Sequence, residues 1–173
     1  ATYRSRFTLI GSMNPEEGNL RPQIMDRFGL RVIVQGLKTP AERLEAYHRV
    51  RSYRQNARET VQNYVYESEV ARREIQYARA LLPKVLLPTE VTKAGIEMIQ
   101  RLKIDSLRAD ISLFEAARAY CAADSRTVVS LVDLKMVAPM ALRIRRSPFM
   151  VQYFKDQDRE ETELNSIIRE VII

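Results

Sequence analysis

Short apolar runs open the chain, and helical spacing takes over after residue 38. Arg6-Phe7-Thr8-Leu9-Ile10 leads into a Gly/Asn/Pro turn, and Leu30-Arg31-Val32-Ile33-Val34 follows about twenty residues later. Both runs predict β-strands. Two strands do not make a stable sheet alone in water, so they read as survivors of a larger one. Thr39-Pro40-Ala41-Glu42 is a helix start: a capping Thr, Pro in the first turn, and Glu three residues on to return a hydrogen bond. That helix is expected to run to about Asn63, with Leu44, Tyr47, Val50 and Val61 among its apolar positions. A second, from near Ser68, must stop around Leu82 because Pro83 cannot continue it. A third starts near Thr89 and carries Val91, Ile96, Ile99 and Leu102. A fourth follows Ser106, with Leu107, Ile111, Phe114, Ala117 and Cys121 predicted to form one buried stripe. Ser130-Leu131-Val132-Asp133 caps a fifth, with Leu134, Val137, Ala138 and Ala141 inward. A last amphipathic helix is expected near 159–172, with Leu164, Ile167, Ile168, Val171 and Ile172 on one side.

Charge changes this picture only at the amino-terminal end. The net charge is +6, but residues 1–58 hold 11 Lys/Arg against 5 Asp/Glu, while the remaining 115 residues balance at 17 against 17. A basic excess invites a nucleic-acid reading. No RNA-binding aromatic motif, zinc finger or helix-turn-helix accompanies it, so a solvated or protein-binding face is expected instead. The single cysteine, Cys121, forbids an internal disulfide or a multi-cysteine metal site and fits a reducing, cytoplasmic setting. It lies in an apolar stripe, where an inert thiol is expected. No apolar run approaches the roughly 20 residues needed to span a bilayer, so no membrane role is expected. The chain opens on Ala1 rather than Met, which reads as a start inside a longer protein.

One segment is far more specific. Leu9-Ile10-Gly11-Ser12-Met13-Asn14-Pro15-Glu16-Glu17-Gly18-Asn19-Leu20-Arg21-Pro22-Gln23-Ile24-Met25-Asp26-Arg27-Phe28-Gly29 resembles the signature of magnesium chelatase subunit I, an AAA+ ATPase family. In that family a strand ends in Asn-Pro-Glu-Glu-Gly and a short helix ends in Asp-Arg-Phe-Gly. The departures, Asn19 for an acidic residue and Met25 for Leu, remove no charged group that handles phosphate. Leu81-Leu82-Pro83-Lys84-Val85, Ser106-Leu107-Arg108-Ala109-Asp110 and Ala138-Pro139-Met140-Ala141-Leu142-Arg143-Ile144-Arg145-Arg146 resemble the family's lid domain.

Three residues carry the chemistry that this resemblance implies. Phosphoryl transfer needs positive charge on the spreading γ-phosphate and a group that orients the attacking water. Asn14, whose amide both donates and accepts, resembles the sensor-1 residue; as a residue alone it also suits the turn before Pro15. Arg27 resembles the arginine finger that an AAA+ ring supplies to the nucleotide of the adjacent subunit, a task for a planar guanidinium. Its alternative is a surface ion pair with Asp26 or Glu17. Arg108 resembles sensor 2, the lid residue that reaches its own subunit's nucleotide. A cation in a helix's first turn opposes the helix dipole unless an anion sits there, which agrees with a phosphate partner. Its alternative is a local pair with Asp110 or Asp105. Asp133 mimics a magnesium-binding Asp at a strand end but reads better as a helix cap. His48 sits among arginines and suits neither catalysis nor metal. Glu16 and Glu17, adjacent in a turn, point apart, and no metal site is expected.

The phosphate-binding loop G-x-x-x-x-G-K-[ST] is missing: the glycines stand at 11, 18, 29, 36 and 95, and none precedes a Lys. The expected fold is therefore mainly α: an AAA+ helical lid bundle preceded by a short α/β remnant of the ATPase core. The remnant covers 1–36 and is expected to pack irregularly, pair with a copy of itself, or lean on the bundle. The lid covers 37–148, and a tail with an amphipathic helix covers 149–173. By resemblance the full-length protein binds ATP and Mg2+, forms a homo-oligomeric ring, and couples hydrolysis to magnesium insertion into protoporphyrin IX. Its partners would be a second AAA+ chelatase subunit and a porphyrin-binding chelatase subunit, and this piece alone would neither hold ATP tightly nor hydrolyse it. Two other readings stay open at this stage. One is the motor of a cobalt chelatase or a MoxR-like remodelling ATPase; the other is a non-enzymatic helical adaptor.

Overall fold

The computed structural model describes residues 7–14, 16, 21–145, 159–160, 162–164 and 166–168. Its elements are α1 (Pro22–Met25), α2 (Pro40–Gln55), α3 (Ala57–Asn63), α4 (Val65–Leu81), α5 (Thr89–Arg101), α6 (Leu107–Ala123) and α7 (Leu131–Leu142), with a 3-10 turn at Leu82–Lys84. The mainly α expectation holds. Neither expected strand forms: residues 7–14 and 30–38 carry no regular structure, and Phe7, Leu9, Ile10, Val32, Ile33 and Val34 are exposed. A strand needs a partner for its backbone N–H and C=O groups, and the described residues offer none. The α/β remnant is thus reduced to α1 and irregular chain.

The core is built by α4 to α7. Ala109, Leu113, Ala117 and Cys121 recur every four residues on α6 and are fully buried, facing Leu134, Val137, Ala138 and Ala141 of α7. The stripe expected from Leu107, Ile111 and Phe114 is therefore rotated: Leu107 and Ile111 are exposed, and the inward face is the one rich in small residues. Small side chains let the two helix backbones approach closely, which favours that face over a bulkier one. On α5 the buried face is Val91, Gly95 and Ile99, while the expected Ile96 and Leu102 are exposed. Gly95 marks a close crossing, because a Cβ there would stand 2.5 Å from Phe114 Cε1 and 2.9 Å from Phe114 Cζ.

Local signals set the helix ends. The Thr39–Glu42 and Ser130–Asp133 capping boxes both form, each hydroxyl accepting from the third residue's N–H and each carboxylate accepting from the capping residue's N–H. Asp133 is 1% exposed and also accepts from Arg126, so it is a helix-start residue as expected. Helices α5 and α6 end in the same motif, with Lys103 and Ser125 left-handed at φ 52° and 58°. The next amides close the last turns: Ile104 N–H to Ile99 O at 3.2 Å, and Arg126 N–H to Cys121 O at 2.9 Å. The bridge Leu86–Val128 ties the chain before α5 to the loop before α7.

The helix expected over 39–63 is broken at Asn56, whose side chain caps α3 by accepting from Glu59 N–H at 3.1 Å. Helix α4 starts at Val65, earlier than the expected Ser68. The bundle does not extend over 39–63. Among the described elements α2 packs only on α3, and α3 on α2 and the start of α4; neither contains a buried residue, and Leu44, Tyr47, Val50 and Val61 are exposed. Of the last expected helix, residues 159–160, 162–164 and 166–168 are helical, with Leu164, Ile167 and Ile168 exposed; Val171 and Ile172 lie outside the described residues.

Two stability predictions follow from this packing. Gly95→Ala gains roughly 0.5–1 kcal/mol of helix propensity but forces the Phe114 ring aside, at a typical cost of about 1–3 kcal/mol. Net destabilisation of about 1 kcal/mol is expected in denaturant unfolding. The Arg126 hydrogen bond, opposed by burial and aided by Ser130, holds the Asp133 carboxyl below its ordinary value of 3.8. A depressed carboxyl stabilises the fold above its unfolded value and loses that contribution as pH falls through the folded one. Asp133→Asn should therefore cost about 2 kcal/mol at neutral pH, with the gap between variant and parent closing as pH drops below 3.8.

Candidate functional site

The end of α7 carries carbonyls with no partner in the helix, the usual state of a helix C-terminus. Two arginines satisfy them. Arg31 N–H donates to Met140 O at 2.9 Å, and its guanidinium donates to Arg143 O at 2.9 Å and to Met25 O. Arg145 folds back so that its Nε donates to Ala141 O at 2.6 Å, after Ile144 turns the chain through a left-handed φ of 59°. Cations at this end also face the negative pole of the helix dipole.

Arg145 then spends its remaining donors on the Asp26–Gly29 segment. It donates to Asp26 Oδ1 at 2.8 Å, to the Asp26, Phe28 and Gly29 carbonyls at 3.4, 3.1 and 3.1 Å, and to Ser112 Oγ of α6 at 3.0 Å. Its side chain is 0% exposed. Because α6 starts and α7 ends beside this one guanidinium, the two helices run antiparallel there.

Asp26 is the opposing anion. Ser106 Oγ donates to both its oxygens at 2.9 Å, and Arg108 donates to Oδ2 at 3.2 Å. A carboxylate thus stands at the positive end of α6, where Ser106 caps nothing because its hydroxyl is committed to Asp26. Burial pulls the Asp26 carboxyl up, but the bonds from Ser106 and Arg108 and the charge of Arg145 outweigh it and hold it below its ordinary value. Burial, with the charge of Arg145 nearby, also holds the Arg31 guanidinium below its ordinary value.

The three expected site residues fall differently around this cluster. Arg108 is in the first turn of α6, with its side chain 59% exposed; its partner is Asp26, not Asp105 or Asp110. Arg27 is exposed and, among the described residues, makes no ion pair; the alternative pair with Asp26 is absent because Asp26 is engaged elsewhere. Glu17 lies outside the described residues. Asn14 sits on the exposed irregular segment 7–14, and no hydrogen bond joins it to Arg27 or Arg108. That segment does reach the cluster's rim, since a side chain at Gly11 would meet the Phe28 ring at 3.8 Å. So Arg27 and Arg108 share the Asp26 neighbourhood, while Asn14 lies on a segment that touches its rim at Gly11.

Sequence reasoning missed Asp26, Arg31 and Arg145 as a cluster. One signal was available: a lone arginine inside the apolar run Leu30–Val34 is an odd strand residue and a sensible staple. Nothing in the arginine-rich stretch after α7 singles out Arg145. Burial pushes the Cys121 thiol up, so its nucleophilic form is disfavoured. Among the described residues no group of three or more His, Cys, Asp or Glu stands together as a metal site, and no helix is long and apolar enough to cross a membrane.

Removing the Asp26 charge should loosen the segment rather than unfold the bundle. Asp26→Asn leaves a buried guanidinium short of its counter-ion, at a cost of about 2 kcal/mol after allowance for the partial exposure of Asp26. The Arg31 amide should then exchange with solvent at least about tenfold faster, while the α6 and α7 core amides keep their protection.

Comparison with known proteins gives a consistent result. Residues 96–167 match the model of the AAA lid domain. The chain is 38% identical to the magnesium-chelatase subunit ChlI homolog of Methanocaldococcus jannaschii over 92% of its own length and 47% of that protein. It is 40% identical to the magnesium-chelatase 38 kDa subunit of Acidiphilium rubrum (84% of this chain, 43% of that one), and 36% identical to the ChlI subunit of Anabaena variabilis (84% and 44%). The chain therefore spans about half the length of the curated relatives it matches. A crystal structure of a Cytophaga hutchinsonii protein described as an ATPase superposes with a TM-score of 0.51 at 23% identity, over 74% of this chain and 41% of that one, a likeness of fold. With its lid-type bundle and its likeness to magnesium-chelatase subunits over 84–92% of its own length, the chain is a ChlI-like AAA+ protein.

Proposed function

We propose that this chain is the lid-side part of an AAA+ motor subunit that couples ATP hydrolysis to insertion of magnesium into protoporphyrin IX. The supporting observation is the polarity of the Asp26 neighbourhood. One arginine, Arg27, is exposed and without a carboxylate partner among the described residues, and another, Arg108, pairs with Asp26 at the start of α6. Both are what a nucleotide's terminal phosphate requires of its surroundings.

The residues present fit one side of an ATP and Mg2+ site. Arg108 would hold phosphate of its own subunit's nucleotide, taking it in place of the Asp26 carboxylate. Arg27 would stabilise charge that develops on the γ-phosphate of the adjacent subunit, and Asn14 would orient the attacking water. When bound, ATP supplies the phosphoanhydride that is cleaved, with Mg2+ neutralising its charge. The backbone cradle and Lys of a P-loop are not found in these 173 residues, so they must come from another part of the motor. A homo-oligomeric ring follows from a finger that acts on its neighbour. A second AAA+ chelatase subunit and a porphyrin-binding chelatase subunit would receive the work, in the cytoplasm.

Two measurements test this reading. Titration calorimetry of the 173-residue chain with ATP should show no tight binding, and a micromolar affinity would overturn the division of the site. In the complete motor subunit, Arg27→Ala should lower kcat by about 10²–10³-fold with little change in ATP affinity, because a finger acts on the transition state. Loss of affinity with an unchanged kcat would count against it.

A further inference from the structure

We propose that Arg145 is a positioning residue for Arg27: its buried guanidinium fixes the backbone on both sides of Arg27 to the lid, and so aims that side chain. This inference rests on the reading of Arg27 as a group acting on the neighbouring subunit.

The geometry is unusually one-sided. Arg145 accepts no role at the surface, its side chain being 0% exposed, yet four of its contacts fall on the residues that flank Arg27: the Asp26 carboxylate and carbonyl, the Phe28 carbonyl and the Gly29 carbonyl. Its other contacts, Ala141 O and Ser112 Oγ, are on α7 and α6, the most deeply packed helices of the lid. Arg27 itself has none of these restraints, for it is exposed and unpaired among the described residues. Its direction is therefore inherited from the backbone at 26–29, and that backbone is held by no regular sheet or long helix. A reacting phosphate tolerates little displacement of such a group, since a shift of about 1 Å can cost about 10²-fold in rate. The planar fork also explains why an arginine is needed, because it meets four carbonyls and a carboxylate at once, whereas a lysine offers one point charge.

The consequence is a lid residue whose effect appears at the neighbour's active site, not its own. In the complete motor subunit, Arg145→Gln should lower kcat by about tenfold to a hundredfold, with KM for ATP changed less than about twofold. Arg145→Lys, which can still reach the Asp26 carboxylate, should lie between. Ser112→Ala removes a single contact without emptying the cluster and should lower kcat by about threefold, giving a readout even where Arg145→Gln folds poorly.

Mixed rings locate the defect. Subunits with Arg145→Gln are combined with subunits carrying Arg108→Ala, and ATP hydrolysis is compared with the mean of the two homogeneous rings. A residue acting across the interface leaves the Arg145→Gln subunit's own site whole, so mixing should restore activity well above that mean. The same mixing with Arg27→Ala in place of Arg145→Gln is the reference. If the Arg27→Ala mixture recovers and the Arg145→Gln mixture does not, Arg145 acts within its own subunit and the positioning role is lost while the finger stands. If the Arg27→Ala mixture fails to recover, the finger reading falls and this inference falls with it. A raised KM with unchanged kcat for Arg145→Gln would likewise overturn it.

Discussion

A single buried guanidinium holds the irregular part of this molecule to the regular part. Arg145 stands between the negative end of α7, where helix carbonyls lack partners, and a stretch of chain whose carbonyls belong to no helix or sheet. Each group alone would be costly to bury. Together they satisfy one another, with the Asp26 carboxylate cancelling the charge. Break that arrangement and residues 26–29 keep only the Ser106 and Arg108 bonds to Asp26 and the turn bonds back to α1. Arg31 repeats the device nearby, joining Met25 and Arg143 through the same helix end.

The dipoles of α6 and α7 make this economical. The antiparallel pair brings the positive start of α6 and the negative end of α7 to one face of the bundle. An anion, Asp26, settles at the first and two cations, Arg31 and Arg145, at the second. The packing that brings these ends together depends on small residues, Ala109, Ala117 and Ala141, all fully buried. The chemistry at the bundle's end is thus a consequence of close helix approach in its middle.

How legible was this in the sequence? Helix starts were, because a cap is local: Thr39–Glu42 and Ser130–Asp133 involve residues three apart and need no tertiary information. Helix existence was too, since Pro83 and the spacing on α7 act within one element. Faces were not: α6 offers both a bulky stripe through Leu107 and Ile111 and a small one through Ala109 and Ala117, and only the partner helix decides between them. The strands failed for the same reason, because Leu30–Val34 has the composition of a strand but no neighbour to pair with among the described residues. At the site, Arg27 and Arg108 were singled out through resemblance to a motif, which gave no hint that Arg108 pairs with Asp26. Asp26, Arg31 and Arg145 join positions up to 119 apart in sequence, and no local pattern encodes that meeting.

The ion pairs around Asp26 are graded, and the grading matters for a motor. Arg108 reaches it by one bond of 3.2 Å from a side chain 59% exposed, a pair of the kind that contributes about 0–1 kcal/mol. Arg145 reaches it from full burial with five further contacts, and its loss would strand a charge in the interior. In the proposed motor, a phosphate with more charge than a carboxylate would take Arg108 away without disturbing Arg145. Asp26 would keep Ser106 and Arg145 in that event, so the segment bearing Arg27 would stay anchored while the lid exchanged one anion for another. In the proposed motor, sensing a subunit's own nucleotide and aiming at its neighbour's would share one carboxylate, yet the weaker bond could open without releasing the stronger.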